Sequence, residues 1–136
     1  MTMTREGIKL RIEAHIEKWQ ALLGLSAWRI LILWDESSDN TSCMQVNWPK
    51  HYRKATLSIT PSFETATDEA LNAAEWDEPS LENNVIHELL HLVFAPLRDV
   101  IRENCGQYSS LLYQHHDINE TVIDSLVPAI RRIEAL

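Results

Sequence analysis

The sequence predicts a single α+β domain: one amphipathic helix, three short strands, then helices to the C-terminus. Apolar residues recur at helical spacing over residues 5–23. Strand-length segments, apolar or alternating, fill most of residues 27–60, and helical periodicity returns from residue 80. Strands grouped together and helices grouped together mark α+β rather than an alternating α/β chain. The 136 residues, 45% of them hydrophobic, suit one domain over 1–136 with one modest core.

In the first helix Ile8, Ile12, Ile16, Trp19 and Leu23 form one stripe. Thr4 is placed to cap its start and Gly24 to end it. Residues 27–34, Ala-Trp-Arg-Ile-Leu-Ile-Leu-Trp, are apolar at both alternating sets apart from Arg29, which predicts a strand covered on both faces. Residues 43–48 alternate, with Met44, Val46 and Trp48 against Gln45 and Asn47. Residues 55–60 alternate too, with Ala55, Leu57 and Ile59 against Thr56, Ser58 and Thr60. A polar turn at 35–40 and a connector at 49–53 separate the three segments, so a small, mainly antiparallel sheet with one wetter face is expected.

A short helix over 64–74 is expected next, followed by an acidic turn. Ser80 is placed to cap a long helix to about Ala95, where Pro96 forces a break. A further stretch runs to about Asn104 and ends near Gly106. Asp117 is placed to cap a last helix to about Ala135, with a kink at Pro128.

The net charge of −8 excludes nucleic acid as a partner, because phosphate binding needs clustered Lys and Arg. No Lys or Arg stands between Lys54 and Arg98. That stretch holds eight acids, read as a solvated surface or as an acidic rim favouring basic substrates. Cys43 and Cys105 lack the spacing of a zinc knuckle or a disulfide framework and are read as free thiols. The N-terminal residues carry no signal-peptide pattern, and no apolar run is long enough for a bilayer, so a cytoplasmic protein with no membrane partner is expected.

His87-Glu88-Leu89-Leu90-His91 fits H-E-x-x-H. Residues four apart lie one turn apart on one helix face, so two imidazoles there can share a zinc ion. Glu88 is rotated away by roughly 100°. From there its carboxylate can take the proton of an attacking water as general base. The surrounding Val85, Ile86, Leu89, Leu90, Leu92, Val93 and Phe94 make this a core helix. Polar groups in such a helix need partners. The competing explanation, two core histidines satisfied by other groups, leaves Glu88 unexplained.

Farther on stands Asn119-Glu120-Thr121-Val122-Ile123-Asp124. With H-E-x-x-H this resembles the gluzincin, or thermolysin-like, metallopeptidases, whose N-E-x-x-x-D motif follows on a later helix. The likeness covers about residues 80–130 and is nearer to the minimal, single-domain minigluzincins than to the large secreted enzymes. It implies a zincin-like fold with an active-site helix and a C-terminal glutamate helix. It also implies Zn2+ held by His87, His91 and Glu120, with Asp124 bonded to a ligand histidine. His115 and His116 stay open as ligands should Glu120 not be one. The resemblance further suggests that a Tyr between the motifs approaches the substrate oxygen; Tyr113, seven positions before Glu120, is the candidate, against simple packing into the core. His91 and Glu120 are 29 positions apart, longer than the thermolysin-type spacing, and Ile123 stands where such enzymes often carry Ser.

In zincins an edge strand beside the metal holds an extended peptide by backbone pairing, and residues 55–60 are the candidate here. Trp28, Trp34, Trp48 and Trp76 are read as groove or core. The expected function is zinc-dependent hydrolysis of peptide bonds in a peptide or protein substrate. The alternatives are a zincin-fold binding or regulatory module and a structural zinc protein.

Overall fold

The computed structural model describes residues 5–34, 44–49, 53–59, 80–105 and 110–136. Within them lie α1 (Arg5–Leu22), β1 (Arg29–Trp34), β2 (Met44–Asn47), β3 (Lys54–Ile59), α2 (Ser80–Val93), α3 (Ala95–Cys105) and α4 (Ser110–Glu134). The expected helix over 64–74, Thr4, Trp76 and Cys43 fall outside the described residues, as do the side chains of Trp34, Ser80 and Cys105.

The stripe that predicts α1 is the stripe it buries: Ile8, Ile12, Ile16 and Trp19 are all in the core. Gly24 stops the helix with φ of 72°. Leu25 N–H donates to the Gln20 carbonyl at 2.8 Å and Gly24 N–H to the Ala21 carbonyl at 3.3 Å, the paired bonds of a Schellman cap. The Gln20 side-chain amide adds bonds to the carbonyls of Leu25 and Trp28, at 2.9 and 2.6 Å, and so aims the chain into β1.

The sheet is mixed, not mainly antiparallel. Its order is β1-β3-β2, with β1 parallel to β3 and β2 antiparallel to β3. Alternation sets which face a strand buries and says nothing of direction. The β2–β3 pair inserts with its second strand inward, and β3 takes the centre because Ala55, Leu57 and Ile59 are all buried. β1 is therefore an edge, and it is not covered on both sides. Leu31 and Leu33 are 58% and 46% exposed, while Ile30 and Ile32 pack against the core. A wholly apolar run hides which set of positions faces solvent.

One core joins α1, the sheet, α2 and the Ile123–Val127 stretch of α4. α2 gives up to it Leu81, Val85, Ile86, Leu89, Leu90 and Leu92. The break expected at Pro96 falls at Phe94, and Pro96 stands in the first turn of α3, where no intrahelical N–H is required. α4 starts at Ser110, seven residues before the expected cap at Asp117, which leaves Tyr113, His115 and His116 on the same helix as Glu120. Of the polar run Gln114–Asp117, Gln114 and Asp117 face outward, His115 is half-buried, and His116 reaches the cavity described below. No helix of the described residues is long and apolar enough to cross a membrane.

Three helices are tied at a buried acid. Glu82 of α2 accepts Trp19 Nε1 at 2.7 Å and Lys18 Nζ at 3.1 Å from α1, and pairs with Arg131 of α4. Lys18 also reaches Glu134 at 2.8 Å. Burial alone would raise the Glu82 carboxyl. The bonds from Trp19 and Lys18, with the charges of Arg131 and His15, outweigh burial and hold it below its ordinary value. Glu82→Ala strands a buried indole N–H and a part-buried guanidinium. It should cost about 3 kcal/mol in chemical denaturation; a loss under about 1 kcal/mol would show the cluster to be idle. A carboxyl depressed in the folded state stabilises above its ordinary range. That contribution drains as pH falls toward the folded value, so Glu82→Gln should flatten the acid limb of stability against pH.

Candidate metal centre

The core face of α2 fixes its opposite stripe. With Val85, Ile86, Leu89 and Leu90 locked inside, His87 and His91 stack one turn apart at the edge of the core, ring centroids 5.1 Å apart. Glu120 comes across from α4. Its Oε2 lies 3.1 Å from His87 Nε2 and its Oε1 2.7 Å from His91 Nε2. Asp124, one turn on, places Oδ1 3.1 Å from His87 Nδ1. A proton on Nδ1 bonded to Asp124 would leave Nε2 as the nitrogen offered beside Glu120. The buried Asn119 amide lies 3.4 Å from His91 Nδ1; with its oxygen turned to the ring it would do the same for His91.

The structure thus brings together His87, Glu88, His91, Glu120 and Asp124. Two donor sets each converge within 4.8 Å, His87 with Glu88 and His91, and His87 with Glu120 and Asp124. The residues fit a divalent ion. Two imidazoles and a carboxylate are donors that zinc takes; Glu120 stands 3.1 and 2.7 Å from one nitrogen of each histidine, although these three are not one of the two sets that converge within 4.8 Å. His87 is also held from behind through its second nitrogen by a carboxylate, as ligand histidines are. His91 has the protonation a ligand needs. Burial pushes it down to about 4; the Glu120 carboxylate opposes that, and the charges of His87, His116 and Arg98 add to it. At neutral pH its ring is uncharged. His115 and His116 do not take Glu120's place.

Glu88 lies within 4.8 Å of both histidines and is anchored to the sheet. Its Oε2 accepts the Val46 N–H of β2 at 2.9 Å. Burial pushes its carboxyl up to about 8, against the pull of that N–H and with the charge of Glu120 adding to the rise. The strand beside the site is therefore β2. The segment 55–60 was expected there, and its described part, 55–59, lies in the central strand, whose backbone groups are taken on both sides. Nothing in the alternation of either segment separates edge from centre.

These groups open into a cavity of about 400 Å³, within the range of small-molecule and peptide clefts. Met44 to Trp48 form one wall, His87, Glu88 and His91 the floor, and Arg98, Arg102, His116 and Glu120 the remainder. Trp48 donates through Nε1 to Asp99 at 3.3 Å, joining the end of β2 to α3. Of the other tryptophans, Trp28 packs against the core. Tyr113 is not brought to the site: it is 61% exposed, neither in the core nor among the residues lining the cavity. Seven residues is two helical turns, roughly 10 Å along α4. One turn from Glu120 stands His116, which does line the cavity. Arg98 and Arg102 were not foreseen from the sequence, and His116 stood there only as an open candidate beside His115. The signal was there in spacing: Arg98 and Arg102 share one face of α3, and His116 stands four before Glu120. No protein-family model, curated protein or solved structure matches the chain.

Proposed function

We propose that the chain is a zinc-dependent hydrolase of peptide or amide bonds, built on the gluzincin plan that its two motifs resemble. The observation that carries this reading is the separate placement of the two glutamates. Glu120 faces both histidines, as a ligand would. Glu88, on the same helix as the histidines, is held to the backbone of β2 at the cavity floor. A site that only stored a metal has no use for the second carboxylate.

His87, His91 and Glu120 would hold the ion, and a divalent ion so held supplies Lewis-acid chemistry, activating water and polarising a carbonyl. Glu88 takes the proton of the attacking water and delivers it to the leaving amine. The rise that burial gives its pKa favours the step in which it hands the proton on. β2 lies along the cavity and offers an extended peptide a strand edge. His116, in place of Tyr113, is the donor within the cavity for the oxygen of the tetrahedral intermediate. Zinc suits two imidazoles and a carboxylate with one position open; structural zinc sites favour cysteine and four protein ligands.

The test is cleavage of a mixed peptide library by the purified protein. Activity should vanish on chelation and return with about one equivalent of zinc. Cleavage that survives exhaustive chelation would overturn the reading.

A further inference from the structure

We propose that Arg98 and Arg102 form a carboxylate-binding subsite in the cavity, so that the chain takes ligands carrying a free carboxylate, either a peptide C-terminus or an Asp or Glu side chain. That this carboxylate lies beside a scissile amide rests on the hydrolase reading; its binding does not.

The chain has 20 acids to 12 Lys and Arg. Lys18 and Arg131 meet their carboxylate at Glu82, away from the cavity, whereas Arg98 and Arg102 line the cavity itself. Among the described residues no carboxylate forms an ion pair with either guanidinium. Arg98 donates from Nη1 to His116 Nδ1 at 3.4 Å, a long bond to a ring nitrogen. The two arginines stand four apart on α3, on one face, where like charges repel. Arg98 is half-buried; burial first, then the charge of Arg102, draws its guanidinium below its ordinary value against the pull of Asp99 and Glu120. Two part-buried like charges line the cavity side by side with no carboxylate in ion-pair contact, an arrangement that an anion from outside would complete.

The acids nearby are engaged elsewhere. Glu120 faces His87 and His91, Glu88 is bonded to Val46, and Asp99 accepts Trp48 Nε1. The planar fork of a guanidinium matches a carboxylate with two parallel hydrogen bonds. Two arginines in a chain of net charge −8 fall far short of the run of cations that a nucleic-acid backbone requires.

The experiment uses three hydroxamate tripeptides: one with a free C-terminal carboxylate, one with a C-terminal amide, and one amidated with a glutamate side chain. Titration calorimetry on the zinc-loaded protein should show at least one carboxylate probe binding roughly tenfold tighter than the plain amide; which one wins identifies the carboxylate's source. In Arg98→Gln/Arg102→Gln that advantage should fall to within about twofold, with the amide's Kd and the zinc content unchanged. Arg98→Lys should restore only part of it, since it keeps charge and loses the fork. Equal binding of all three probes, or an advantage that survives the double variant, overturns the proposal. The same preference should appear, at weaker absolute affinity, in NMR titration of metal-free protein. A failure of zinc binding would thus strike the hydrolase reading alone and leave this one to stand or fall by the arginines.

Discussion

Glu88→Gln should cut turnover by about 10²–10⁴-fold while leaving zinc content and fold nearly unchanged. The neutral amide cannot take a proton from water. Its oxygen can still accept the Val46 N–H, so the contact between α2 and β2 survives the change. The substitution also replaces a carboxyl whose burial and whose neighbour Glu120 disfavour its charge, so stability should hold or rise slightly. The assay compares variant and wild type on one cleaved peptide at matched zinc loading. Equal rates would mean that the cleavage uses other residues or a contaminant. A wild type that holds zinc and cuts nothing would move the weight to a binding module on the same fold. The carboxylate advantage of the arginine subsite would then describe the ligand such a module retains.

The motifs were legible because they are local. Four-residue spacing on one helix fixes His87 beside His91 whatever the rest of the chain does, and the apolar residues around them fix which stripe faces inward. The same reasoning placed Asp124 one turn after Glu120, and it now lies against His87 Nδ1. The core was legible for the same reason: Ile8, Ile12, Ile16, Leu57 and Ile59 are buried as their periodicity requires.

What escaped was whatever depends on how elements meet. Strand direction and order are set by which hairpin strand turns inward. So β2 and not β3 lies at Glu88, and the apolar run of β1 leaves Leu31 and Leu33 exposed. The start of α4 escaped because Asp117 looks like a cap and the polar residues before it look like a loop. That error also separated Tyr113 and His116 from Glu120, which all share one continuous helix. Glu82 gives the reverse case. In the sequence it is one acid among eight between Lys54 and Arg98, and in the fold it is the buried partner of Trp19, Lys18 and Arg131.

Removing the ligand side chains should separate those that hold the ion from those that only orient them. His87→Ala and His91→Ala should each lose most of the bound zinc. Each leaves two protein ligands where zinc needs at least three and a water. Glu120→Ala should weaken zinc strongly for the same reason, since no other described carboxylate faces both Nε2 atoms as it does. Asp124→Asn is different. It touches His87 through Nδ1 only, and its side chain is 69% exposed. Outer partners of this kind typically contribute about 10–100-fold in affinity, and solvent screening at such exposure argues for the lower end, near tenfold. The measurement is competition titration against a chromophoric chelator, with circular dichroism to show that each variant is folded. Full zinc occupancy in both histidine variants would sink the site. A Glu120→Ala protein that binds zinc normally while a His116→Ala protein does not would move the third ligand to His116, one turn earlier on the same helix. An Asp124→Asn effect as large as that of His87→Ala would mean that Asp124 is itself a ligand, as the second donor set of His87, Glu120 and Asp124 allows.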